Sequence, residues 1–120
     1  MNDRRELTRQ YKETPRQMGI YRIQNTANGK CFVGAARDLP GRINSHRFQL
    51  RMKVHRNELL QQEWEDYGAD AFVFEVLDTL TPNDLPDYDP TEDLQVLEDL
   101  WLQKLRPFGD HGYNREGRRF

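Results

Sequence analysis

The stretch Gly19-Ile20-Tyr21-Arg22-Ile23-Gln24-Asn25-Thr26-Ala27-Asn28-Gly29-Lys30-Cys31-Phe32-Val33-Gly34 decides the fold. Gly19–Gln24 alternates as a strand does, with Ile20 on the opposite face from Tyr21 and Ile23. Asn25–Gly29 is a turn cluster, and Asn28-Gly29 supplies the residue types that accept the positive φ angles of a tight hairpin. Lys30–Gly34 then returns beside the first strand. Two strands joined by so short a turn run antiparallel.

Outward from this hairpin, helical and extended patterns follow in turn. Leu39 to about Lys53 reads as a helix, with Asp38 as N-cap and Pro40 tolerated in the first turn. Leu39, Ile43 and Leu50 form a narrow apolar stripe, flanked by Arg42 and His46 on one side and by Arg47 and Arg51 on the other. Asn57–Tyr67 predicts a second helix with Leu60, Trp64 and Tyr67 turned inward and Gly68 as its stop. Ala71–Leu77 reads as a third strand, 80–90 as a surface loop, and Thr91–Leu105 as a long helix closed by Pro107. A short helix over 2–13 precedes all of this and ends at Pro15. The expected fold is α+β: a small antiparallel or mixed three-stranded sheet flanked by helices, in the order β-β-α-α-β-α after an N-terminal helical extension. Pattern alone leaves open where the third strand inserts.

Composition bounds the class. A chain of 120 residues with 36% hydrophobic content makes one small core. Its mean hydropathy of -0.99 implies a heavily charged exterior. No apolar run approaches the roughly 18 residues of a membrane span, and Met1–Glu6 lacks a signal peptide's apolar region, so a cytoplasmic protein with no membrane partner is expected. Cys31 is the lone cysteine, and no Cys/His spacing suggests zinc. The near-neutral charge of -2 hides an asymmetry: residues 1–60 carry 13 Lys/Arg against 5 Asp/Glu, and residues 61–120 carry 5 against 15. That split fits either a basic face for a polyanion or charges that intermix on a solvated surface.

Two features carry chemistry. Glu98 falls inside the apolar arc of the last helix, made by Leu94, Leu97, Trp101, Leu102 and Leu105. A carboxylate there is costly unless it is paired with an arginine, bound to a hard cation, or used as an acid or base. Arg42 and His46, at i and i+4, set a planar cation beside a group that titrates near neutrality, a pairing that suits a phosphodiester. His55 and His111 lack such context and read as surface residues.

Taken in order, Gly19-Ile20-Tyr21, Phe32-Val33-Gly34, Arg42, His46, Glu98 and Asn114 resemble the GIY-YIG nuclease family over about four-fifths of the chain. Asn28-Gly29-Lys30, Trp64 with Tyr67-Gly68, and Leu105-Arg106-Pro107 agree with it. The resemblance implies a nuclease domain over 19–114, an N-terminal extension over 1–18 and a basic tail over 115–120. It implies a metal-dependent endonuclease that hydrolyses phosphodiester bonds in DNA, whether duplex, branched or single-stranded. Tyr21 would help activate water, Arg42 and His46 would act at the phosphate, and Asn114 would orient the site. Glu98 would hold one Mg²⁺ or Mn²⁺. Lys30, Phe32, Arg37, Arg47 and Arg51 are the expected substrate contacts. Phe32 departs from the family's second tyrosine and lacks its hydroxyl, which motivates a rival reading as a nucleic-acid-binding module of the same fold with little catalysis. A third reading is a protein-interaction domain using the acidic half. With little chain outside the module, target choice is expected from DNA structure or from a protein partner that delivers the substrate.

Overall fold

The computed structural model describes residues 17–82, 85 and 87–115. The helix expected over 2–13 and the tail from 116 onward lie outside the described residues. The elements run β1 (Met18–Asn25), β2 (Cys31–Ala36), α1 (Leu39–Arg51), α2 (Glu58–Tyr67), β3 (Phe72–Leu80) and α3 (Thr91–Leu105). The sheet order is β2-β1-β3 and every pairing is antiparallel. The hairpin partner lies on one side of β1, so the third strand takes the other and β1 becomes central.

The period-2 alternation of β1 sorts the core into two layers. Tyr21 and Ile23 face α1 and α2, packing with Leu39, Leu50, Leu60, Phe72 and Tyr113. Ile20 faces α3 together with Cys31 and Val33, against Leu97, Trp101, Leu102 and Leu105. Helices therefore cover both faces of a small sheet, with both layers anchored on one strand.

Local chemistry sets the element ends. The Asp38 side chain accepts from Gly41 N and caps α1, with Pro40 in its first turn. Asn57 caps α2 through Leu60 N, and Gly68 ends that helix at φ 85°, a value glycine tolerates without strain. One expectation fails on α2. Trp64 packs on the core beside Leu60 as expected, but Tyr67 is about half exposed, and the further buried positions belong to Gln61 and Glu63. Both polar side chains are satisfied where they lie, so the helix buries hydrogen-bonding groups where an apolar ring was expected.

Candidate active site

Tyr21 is 2% exposed and projects from central β1 toward edge strand β2, where it pairs directly with Gly34. The glycine is required by space. A Cβ built there would lie 2.7 Å from Tyr21 Oη and 2.9 Å from the adjoining ring carbon, so the phenol occupies the volume that a side chain would fill. Gly19 has a comparable constraint on the neighbouring strand: its Cβ would fall 2.0 Å from the Asp78 carbonyl oxygen, beside the irregular register between Ile20 and Tyr21. Gly34 thus makes room for the tyrosine, and Gly19 lets β3 approach β1.

Tyr21 Oη lies 2.6 Å from His46 Nε2 of α1. His46 Nδ1 lies 2.7 Å from His55 Nε2, in the segment between α1 and α2, and the two imidazoles stack at 5.0 Å. His55 Nδ1 accepts from the backbone N–H of Asn57 at 3.0 Å. The His55 backbone is itself held, its N–H donating to Gln61 Oε1 while Gln61 Nε2 donates to Leu50 O. His46 is thus buried within the α1 stripe instead of flanking it.

The electrostatics follow from this burial. Withdrawal from water pushes the His46 imidazole down to about 4, helped by the nearby His55 and Arg42, so it is neutral at pH 7. Burial likewise lowers His55. Burial raises the Tyr21 phenol well above its ordinary value; Arg42 pulls it back by charge and hydrogen bond, and Glu98 opposes that pull. Arg42 and Glu98 therefore lie close enough to the phenol to influence it with opposite signs.

These residues line one cleft: Tyr21, Phe32, Arg42, His46, Glu98 and Asn114 come from β1, β2, α1, α3 and the C-terminal segment. All five residues expected to be catalytic are brought together. Phe32 joins them, its ring centroid 6.1 Å from Tyr21 and 5.5 Å from His46. The Asn114 amide, though on the cleft lining, is engaged by the backbone of β2. Its Oδ1 accepts from Val33 N at 2.9 Å and its Nδ2 donates to Val33 O at 2.8 Å, so it holds β2 in place.

The expected substrate contacts fare differently. Lys30 points elsewhere and pairs with Glu63 at 3.2 Å. Arg47 lies over the Phe74 ring at 4.5 Å, and Arg51 is exposed in the last turn of α1; neither lines the cleft. Arg37 binds Asp89 at 2.9 Å and also Thr91, beside a second cavity that shares Arg42, Ser45 and Glu98 with the cleft. The exposed arginines that do line the cleft beside Arg42 are Arg56 and Arg115. Sequence reasoning missed these two and His55. Their shared signal is proximity to Asn57 and Asn114, the residues that fasten the two segments crossing the cleft.

Could the site hold a cation? Among the described residues no group of three or more His, Cys, Asp or Glu forms a metal cage. Glu98 is half-buried and opens on the cleft beside an arginine. A single carboxylate of this kind suits a hard ion that keeps several waters and completes its shell with substrate oxygens, as Mg²⁺ does.

The GIY-YIG catalytic domain family matches residues 17–114. The chain belongs to the GIY-YIG family. Over 98 residues this GIY-YIG domain is 30% identical to Intron-associated endonuclease 1 of Enterobacteria phage T4; the match covers 80% of this chain and 36% of that protein, so the chain spans about a third of its relative's length. Two solved structures of the catalytic domain of intron endonuclease I-TevI superpose on it. One, in a mutant form, has a TM-score of 0.69 and 26% identity, covering 87% of this chain and 98% of that one. The other has a TM-score of 0.64 and 28% identity, covering 81% and 96%. The three-stranded sheet and helix order of this GIY-YIG domain match those structures. Among its described residues no helix is long and apolar enough to cross a membrane.

Proposed function

We propose that this GIY-YIG domain is a divalent-metal-dependent endonuclease that hydrolyses phosphodiester bonds in DNA. The observation that carries the reading is the convergence of Tyr21, Arg42, His46 and Glu98 on one cleft from segments almost eighty residues apart. The endonuclease named among its relatives supports the same class.

Arg42 is the exposed guanidinium nearest the phenol, and it binds the non-bridging oxygens of the scissile phosphate, strengthening that contact as negative charge builds in the transition state. Tyr21 receives the proton of the attacking water. Tyr21 is buried yet lines the cleft in which the phosphate would lie. Glu98 would hold one Mg²⁺ or Mn²⁺, and when bound the ion would polarise the phosphate and stabilise the leaving oxygen. Asn114 acts through β2, keeping Phe32 and Gly34 at the rim. Arg56 and Arg115 replace Arg47 and Arg51 as the flanking phosphate contacts. Base-specific readout needs several side chains placed in a groove, and in this reading target choice comes from DNA structure or from a partner that delivers it.

Purified protein is incubated with end-labelled duplex, branched and single-stranded DNA in Mn²⁺, with and without chelator. Metal-dependent cleavage that the chelator stops supports the reading. Salt-sensitive binding without cleavage would replace it with a DNA-binding module in which Phe32 marks a lost function, and neither outcome on any DNA would leave a protein-interaction role.

A further inference from the structure

The cleft's polar groups continue behind Tyr21 into a line that hydrolysis of DNA does not by itself require: Tyr21 Oη, His46 Nε2, His46 Nδ1, His55 Nε2, His55 Nδ1 and the backbone N–H of Asn57. Each neighbouring pair across this line is within 3.0 Å. The line has a fixed end. A backbone N–H can only donate, so His55 Nδ1 must be an unprotonated acceptor. A neutral imidazole carries one N–H, which His55 must then bear on Nε2 and donate to His46 Nδ1. His46, neutral for the same reasons of burial, therefore bears its own hydrogen on Nε2 and donates it to the Tyr21 oxygen.

We propose that His55 is a positioning residue, set by the Asn57 N–H, that holds His46 in its Nε2–H tautomer so that His46 serves as hydrogen-bond donor to Tyr21 and not as a base. This deepens the hydrolytic reading of the same cleft and rests on it. The consequence divides the labour. Both His46 nitrogens are committed, so His46 has no lone pair with which to take up the water's proton. The Tyr21 oxygen accepts from His46, and its own hydrogen turns toward the cleft. Burial disfavours the phenolate and the two donors His46 Nε2–H and Arg42 offset part of that cost, so the reactive form is the small fraction of Tyr21 whose proton has passed to solvent. It then takes a proton from the attacking water as the water oxygen bonds to phosphorus and the phosphorus–leaving-oxygen bond breaks; the leaving oxygen is reprotonated from solvent.

The surroundings of His55 fit a positioning role. Its backbone N–H is clamped by buried Gln61, and Asn57 is clamped in turn, its side chain capping α2 and donating to the Tyr113 carbonyl at 2.7 Å. The imidazole is thus engaged at both nitrogens, by Asn57 N–H at Nδ1 and by His46 at Nε2, on a backbone that is itself fixed. Which nitrogen of a histidine is protonated is commonly set by the partner of the other one.

The test uses the full ¹⁵N-labelled chain and long-range ¹H–¹⁵N correlation of its histidine side chains, alongside DNA cleavage in Mn²⁺. In the wild type, His46 should show a protonated Nε2 and an unprotonated Nδ1. His55→Gln can reproduce both bonds, its Oε1 accepting from Asn57 N and its Nε2 donating to His46 Nδ1, and should keep both the tautomer and cleavage within a few-fold. His55→Leu should give a tautomer mixture at His46 and lower kcat by roughly ten- to a hundredfold with KM little changed. A wild-type His46 protonated on Nδ1 would overturn the proposal, whatever the variants do. So would a His55→Gln protein that keeps the tautomer yet loses as much cleavage as His55→Leu. A wild type with the Nε2–H tautomer that cuts no DNA would sink the hydrolytic reading and leave the tautomer assignment standing.

Discussion

Two carboxylates, Glu63 and Glu98, sit in different regions of this small protein and teach different lessons about a withdrawn charge. Glu63 is 7% exposed and saturated. Its Oε1 accepts from Asn25, Asn28 and the Tyr113 hydroxyl, and its Oε2 accepts from Lys30. Burial opposes its charge, yet these hydrogen bonds outweigh that and hold the carboxyl below its usual range. The group ties the hairpin turn to α2 and to the C-terminal segment. Glu98 is less buried and lies at the mouth of a cleft shared with Arg42 and Tyr21. A buried charge alone therefore does not mark a reactive group. What separates the two is their place: Glu63 sits in a cluster of donors that joins three segments, and Glu98 lines the cleft.

The sharpest way to break this comparison is to remove each carboxylate. Glu98→Ala should lower cleavage by about 10³-fold, corresponding to the several kcal/mol an ion supplies, with a melting temperature unchanged or slightly raised. Glu63→Ala should instead strand an ammonium, two amides and a phenol and destabilise by about 2–4 kcal/mol. Thermal melts beside cleavage assays decide it; a Glu98→Ala protein that melts like Glu63→Ala would make both carboxylates structural.

Acid sharpens the same contrast. The His46 pKa is lowered on folding, so the unfolded chain binds more protons between about pH 6.5 and 4, and stability falls as pH drops through that window. The His46 share should total roughly 3 kcal/mol and be missing in His46→Phe, which keeps only the part due to His55, lowered by burial as well. Glu63 is also lowered, so its contribution persists above the ordinary carboxylate range and is lost only as pH falls through its depressed value. Urea melts across pH should thus show two separate limbs. A single limb, unaffected by His46→Phe, would contradict the burial of a neutral imidazole.

Smaller effects belong to the basic residues. Arg56→Ala and Arg115→Ala should each weaken DNA binding on any sequence and flatten its salt dependence by about one unit, with Arg47→Ala and Arg51→Ala doing less. Equal salt slopes for all four would mean that the DNA path extends beyond the cleft. Smallest of all should be Phe32→Tyr. The ring already lies at the rim beside Tyr21 and His46, and a restored hydroxyl should change cleavage by less than about tenfold. A hundredfold gain would point to a native site crippled by its loss.

Much of this architecture is legible locally. Asn28-Gly29 encodes its hairpin, Asp38 its cap, and Leu94 through Leu105 the face that α3 buries, because each depends on residues a few positions apart. The five expected catalytic residues do converge on one cleft. What stayed hidden depends on docking. The place of β3 rests on which side of β1 the hairpin leaves vacant. His55 belongs to a connecting segment with no periodicity, so nothing local distinguishes it from a solvated histidine. Glu63 and Gln61 look like ordinary polar positions of α2 until the turn and the neighbouring helix supply their partners. Charge counting also misled: Lys30 and Arg47 contribute to the basic half, yet one is bound to Glu63 and the other to an aromatic ring.

The amide of Asn114 has a consequence for solubility. On its outer side, β2 would present bare N–H and C=O groups, the kind of edge onto which a second chain can add a strand. Here the Cys31 carbonyl is taken by Tyr113 N, and both backbone groups of Val33 are taken by one side chain that imitates a neighbouring strand. Gly112 permits that approach, since a Cβ there would lie 2.5 Å from the Cys31 oxygen. Three residues thus act as a plug on the sheet margin, and a chain shortened before Gly112 should expose a template for self-association that the intact one keeps covered.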